Sequence, residues 1–119
     1  MRFDTSWPRD PRLDPFRDAV WELRRKGRVE AYLTSRVIPL RAAPLFWEKQ
    51  ESVWYRVNWL DGHRDHPLED RGPSWRVVSG LEKGSFADEA DLAQRVFEAR
   101  PVTGPERDRL WHQYGPSGR

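Results

Sequence analysis

Residues 59–72 read WLDGHRDHPLEDRG, and two of the chain's three histidines, His63 and His66, stand there among four carboxylates and two arginines. Neutral imidazole and carboxylate are the side chains that hold a zinc-like cation. The same two groups divide general acid and base work in a ribonuclease-like cleavage. His63, Asp65 and His66 are therefore the weak metal-ligand candidates. His63 or His66 with Glu69 or Asp70 is the acid–base candidate for a small hydrolase or nuclease. The competing reading is a solvated connection: Asp61-Gly62 follows an apolar segment as a turn pair does, and Asp and Asn-like residues favour turns. We prefer it, and assign no catalytic residue, no metal and no cofactor.

The six residues DGHRDH resemble the HxHxDH metal motif of the metallo-β-lactamase superfamily, which also follows an apolar strand. His63, Asp65 and His66 match its last three positions, while Asp61 stands where the first His belongs. The resemblance implies a two-layered metal-binding fold with further His and Asp ligands downstream. Only His112 follows here, and 119 residues are too few for that fold. No glycine-rich phosphate loop or G-x-S-x-G occurs. With no cysteine, thiolate zinc sites, disulfides and Cys–His nucleophiles are excluded.

The residues that point to binding are Arg and Trp. Arg24, Arg25, Lys26 and Arg28, extended by Arg36 and Arg41, form a basic segment that would face a polyanion such as nucleic acid. Residues 1–60 hold 12 Lys/Arg against 8 Asp/Glu, and residues 61–119 hold 9 against 11, so the basic excess lies in the first half. The other reading of this run is cations at a helix C-terminus, stabilised by the dipole. Trp47, Trp54 and Arg56 are the partner-binding candidates. Trp and Arg dominate protein–protein hot spots, and an exposed Trp also stacks bases. Trp59, Trp21 and Trp111 read as packing residues.

The elements that must position these residues follow from periodicity. Residues 1–13 read as an extended arm pinned by Phe3 and Trp7. Asp14-Pro15 opens a predicted helix, with Phe16, Val20 and Leu23 at helical spacing and Gly27 as C-cap. Residues 28–34 fit strand or a continued helix; Val29, Tyr32 and Thr34 favour strand. Val53, Tyr55, Val57 and Trp59 alternate with Trp54, Arg56, Asn58 and Leu60, a strand pattern, and residues 45–50 can pair with it through a turn near Gln50 to Ser52. Residues 74–81 read as a further strand. Phe86, Ala90, Ala93, Val96 and Phe97 predict a helix over 85–100. Thr103 and Glu106 fit a capping box for a last helix closed by Gly115.

The expected fold is α+β: an N-terminal helix, a three- to four-stranded antiparallel sheet and two C-terminal helices packed on the sheet, in one domain over 14–115 with a frayed tail at 116–119. The element order resembles the double-stranded-RNA-binding domain. That family carries a basic cluster at the start of its final helix, where this chain has the acidic SFADEAD, so no assignment follows. The N-terminal residues lack the apolar core of a secretory signal, and no apolar run approaches the roughly 20 residues of a membrane span. The expectation is a cytoplasmic, non-catalytic interaction module for a protein partner, with nucleic acid as the second partner class, self-association allowed and no membrane.

Overall fold

The computed structural model describes residues 9–41, 49–60, 75–88 and 95–115. A 3₁₀ helix, Pro11–Phe16, leads into β1 (Ala19–Arg25), β2 (Arg28–Arg41) and β3 (Lys49–Trp59). Then come α1 (Trp75–Glu82), β4 (Ser85–Ala87), β5 (Val96–Val102) and α2 (Gly104–Tyr114). The strands form one five-stranded antiparallel sheet in the order β3-β2-β1-β5-β4. This overturns the expected α+β order of an N-terminal helix, three or four strands and two C-terminal helices.

Three segments changed type. The expected helix from Asp14 to Gly27 is a single 3₁₀ stretch followed by β1. Its cap is Asp10, whose carboxylate accepts the Arg12 N–H at 3.0 Å. Phe16, Val20 and Leu23 do keep helical spacing, but Ala19, Trp21 and Leu23 also keep period two. Val20 and Trp21 are adjacent and both buried, a pattern that a strand with two covered faces accommodates. Residues 74–81, expected as a strand, hold α1, with Val77, Val78 and Leu81 buried at helical spacing. Among the described residues, the helix expected over 85–100 gives way to β4 and β5. In β5, Phe97 and Ala99 are buried while Val96, Glu98 and Arg100 are exposed, and pairing with β1 overrides the helical stripe. Gln50 to Ser52 lie inside β3 and make no turn. Residues 28–34 are strand, and the last helix stands where spacing put it.

Gly27 is a hairpin residue, not a helix cap. Lys26 and Gly27 form the two-residue loop between paired Arg25 and Arg28, with φ of 56° and 78°. Two successive positive φ angles define a type I′ turn, whose twist matches that of the strands it joins. Beyond it, Leu23 faces Ala31 while Arg24 faces Val29, leaving Glu30 as the extra residue of a bulge.

The sheet has one heavily packed face. Trp21, Leu23, Leu33, Val57, Phe86, Phe97 and Ala99 lie on it, covered by Leu13 and Phe16 of the 3₁₀ helix and by Val77, Val78 and Leu81 of α1. Phe16 stacks on Trp21 with centroids 5.6 Å apart. The Trp21 indole N–H donates to the Ser35 hydroxyl at 3.2 Å, which donates to the Phe16 carbonyl at 3.1 Å. This relay satisfies a carbonyl that the helix end would otherwise leave buried. The opposite face carries α2. Leu110 is the buried residue of that helix, and Tyr114 stacks on Tyr32 of β2 at 5.6 Å. Burying one Leu stabilises by about 1.5–3 kcal/mol, and an aromatic pair adds about 0.5–1.5 kcal/mol.

An ion network ties the 3₁₀ helix to β3. Arg17 donates two 2.7 Å hydrogen bonds to the two oxygens of Glu51 and a third of 2.7 Å to Asp14. Glu51 also accepts the Asp10 N–H at 2.7 Å. The Arg17 guanidinium, first, then holds Glu51 below its ordinary 4.5. Arg12 lowers Asp10, and Arg17 lowers Asp14, from 3.8. A carboxylate depressed by folding stabilises the fold above its unfolded pKa, and that contribution is lost as pH falls through the folded value.

Two outcomes follow. Denaturant midpoints should fall as pH is lowered from about 5 towards 2, and Glu51→Gln should lose about 2 kcal/mol at neutral pH with a shallower acid slope; an unchanged slope would show that Glu51 does not carry the effect. Lys26→Asn should raise stability by several tenths of a kcal/mol, because Asn accepts positive φ more readily than Lys, read as a higher urea midpoint at the same m value.

Candidate binding face

The strand register decides which Arg and Trp side chains meet. On the α2 side of the sheet, Tyr32 stands opposite Asn58, Thr34 opposite Arg56, Arg36 opposite Trp54 and Ile38 opposite Ser52. Directly opposed positions lie about 4.5–5.5 Å apart and diagonal ones about 7–8 Å. Trp54 is therefore flanked by Arg36 across the ladder and by Arg56 two residues along its own strand. Its indole N–H donates to Ser52 at 3.3 Å, and the ring is half-buried. Asn58 is buried and donates to the Tyr32 carbonyl at 3.2 Å. The β2–β3 ladder sets these eight positions side by side on one face. None of the eight is acidic.

The basic segment does not stay together. Arg24 lies on the α2 side and pairs with Glu22 at 3.0 Å. Arg25 lies on the packed side, 3.6 Å from buried Glu30 and 5.9 Å above the Phe97 ring. Lys26 and Arg28 are exposed at the turn. Arg36 joins Trp54 and Arg56, away from the turn. Arg41 ends β2 as backbone, but its side chain lies outside the described residues, as do Trp47, His63, Asp65 and His66. Among the described residues, no three His, Asp or Glu side chains gather as metal ligands would, and no helix is long and apolar enough to cross a membrane.

Sequence reasoning placed Trp54 on the face opposite the core and Trp59 on the core side, where it packs half-buried against the main cluster. It missed the contacts of that second tryptophan: Phe97 at 5.4 Å and the Arg95 guanidinium 5.9 Å above its ring. It also missed the Tyr32–Tyr114 stack, which joins residues 82 positions apart and leaves no local signal. A cleft of about 470 Å³ opens where β1 begins and α2 starts, lined by Arg17, Asp18, Val20, Val102, Gly104 and Arg107 among others. Its two arginines are engaged, Arg17 by Glu51 and Arg107 by the Asp18 carbonyl.

No family model matches the chain, and no curated protein or solved structure matches it.

Tyr32 couples the platform to α2 electrostatically. Burial, then the charges of Glu22 and Glu106, push its phenol above the ordinary 10. A group whose folded pKa is raised stabilises the fold fully below its unfolded pKa and loses that contribution as pH rises through the folded value. The Tyr114 contact should therefore weaken above pH 10. Urea midpoints measured up to about pH 11 should fall less steeply for Tyr32→Phe than for the parent chain. Equal slopes would assign the alkaline loss to another group.

Proposed function

We propose that this chain is a small, non-catalytic binding module that engages a protein partner through the outer face of β2 and β3. The observation that carries the reading is the juxtaposition of Arg36, Trp54 and Arg56 on one face of β2 and β3. Trp54 serves as the apolar anchor, since buried Trp and Arg supply most hot-spot energy. Arg36 and Arg56 add positive charge beside it, which favours an acidic partner. The partner is accordingly an acidic segment with at least one large apolar side chain. A reducing, cytoplasmic setting fits the absence of cysteine.

Nucleic acid is the lesser reading. The segment from Arg24 to Arg41 would have to present a common basic surface, whereas Arg24 and Arg25 lie on opposite faces with carboxylate partners. A hydrolase reading gains no support, because its histidines lie outside the described residues.

The test is a tryptophan-fluorescence titration with an Asp/Glu-rich peptide containing Leu and Phe, a neutral scrambled peptide, and a single-stranded oligonucleotide. The acidic peptide should bind, and the Arg36→Glu/Arg56→Glu double variant should lose at least tenfold in affinity, about 1.4 kcal/mol. Tight, steeply salt-dependent oligonucleotide binding with no peptide response would overturn the protein-partner reading in favour of nucleic acid.

A further inference from the structure

We propose that α2 is a detachable lid on the binding face: it lifts about Gly104 and uncovers Tyr32 and Val20, enlarging the platform that carries Trp54. The use of the enlarged face rests on the binding reading above; the motion does not.

Among the described residues, the attachments of α2 are few. Of its 11 residues, Leu110 alone is buried. Tyr114 contributes the stack on Tyr32, and Arg107 donates to the Asp18 carbonyl. Trp111, the largest side chain of the helix, lies under its own neighbour, with the Arg107 guanidinium 5.2 Å above the ring. Thr103 occupies the N-cap position but makes no side-chain capping bond, so the first turn lacks the stabilisation that a cap gives. An isolated helix of this length is marginal in water, and these contacts hold it in place. The sheet beneath is different: β1 is hydrogen-bonded on both edges, to β2 and to β5.

The junction is suited to a hinge. Gly104 has φ of 70°, and a Cβ there would meet nothing within 4 Å. The residue is thus free of packing on either side of the bend. Under the lid, Val20 is 1% exposed, and its cross-strand neighbour Thr34 is 2% exposed. The Thr34 hydroxyl has no hydrogen-bond partner. Thr34 is the cross-strand neighbour of Arg56, and Tyr32 that of Asn58, so the uncovered surface runs directly into the Arg36–Trp54–Arg56 platform. Elements that expose binding surfaces belong to the less stable end of a fold.

The experiment uses the full chain with no ligand. Native-state hydrogen exchange should show amides 108–114 opening by a route insensitive to low denaturant, with protection at least roughly 100-fold below that of β1 and β2. Leu110→Ala should speed that opening roughly 30-fold or more and leave sheet protection unchanged. Acetylation of the Tyr32 phenol by N-acetylimidazole, followed by mass spectrometry, should accelerate in step. Protection of α2 equal to that of the sheet, with the same denaturant dependence, overturns the lid. Faster exchange in Leu110→Ala without faster Tyr32 acetylation also overturns it, because opening would then not uncover the platform. Failure of the acidic-peptide titration instead bears on the binding reading alone.

Discussion

The structure depends on β1, the middle strand of the sheet, which has a partner on each edge and buries side chains on both faces. Val20 points to one side of the sheet, Trp21 and Leu23 to the other, and all three are at most 5% exposed. A strand in that position needs cover on both sides and a partner on each edge, since its backbone N–H and C=O groups have no water to turn to. β2 supplies one edge through a two-residue turn. β5 supplies the other from far along the chain. The 3₁₀ helix and α1 cover one face, and α2 lies over the other. Each remaining element thus answers a demand that β1 makes. Trp21 adds a fixed anchor, because its indole N–H and the Ser35 hydroxyl close the buried end of the 3₁₀ helix.

This demand explains which parts of the fold were legible in the sequence. β3 was readable because Val53, Tyr55 and Val57 are apolar on one side and Trp54, Arg56 and Asn58 are polar or amphipathic on the other. α2 was readable from Thr103 and Glu106 at its start and Gly115 after its end, although Thr103 makes no side-chain capping bond. β1 was not, because Val20 and Trp21, adjacent and both buried, break the alternation at its start. Phe16, Val20 and Leu23 then mimic a helical stripe, and Gly27 serves a type I′ turn as well as it would a helix C-cap. β5 failed for a related reason: Phe86, Ala90, Ala93 and Phe97 keep helical spacing, and only pairing with β1, some eighty residues away, decides the outcome. Local pattern is a weak guide wherever a distant partner sets the conformation.

The candidate site was legible in part, by the same logic. Consecutive residues on a strand point to opposite faces, so a run such as Arg24-Arg25 cannot form a patch, however dense its charge looks on paper. Residues two apart can. Trp54 and Arg56 satisfy that rule within one strand, and the register brings Arg36 beside them. The pairing of Trp54 with Arg56 follows from period two, and the register adds Arg36, which the sequence had put with the basic segment; the grouping of Arg24 to Arg28 rested on charge clustering along the chain. The counter-charges of those residues, Glu22 and Glu30, could be seen in the sequence but not assigned, because the bulge at Leu23 determines where Glu30 falls.

The pairing of Val20 with Val102 has a consequence for the growing chain. At roughly 5–20 residues per second, the ribosome needs about 4–16 s between making the first of these residues and the second. During that interval the β1–β2 hairpin can form through its tight turn, while one edge of β1 stays open. Contacts of such long separation also slow folding after release. Glu22 and Arg24, charged residues in the middle of that open strand, oppose its pairing with neighbouring nascent chains in the way that charged edge residues do in finished sheets. The polar side of β1 thus guards the protein at a stage before β5 exists to cover it.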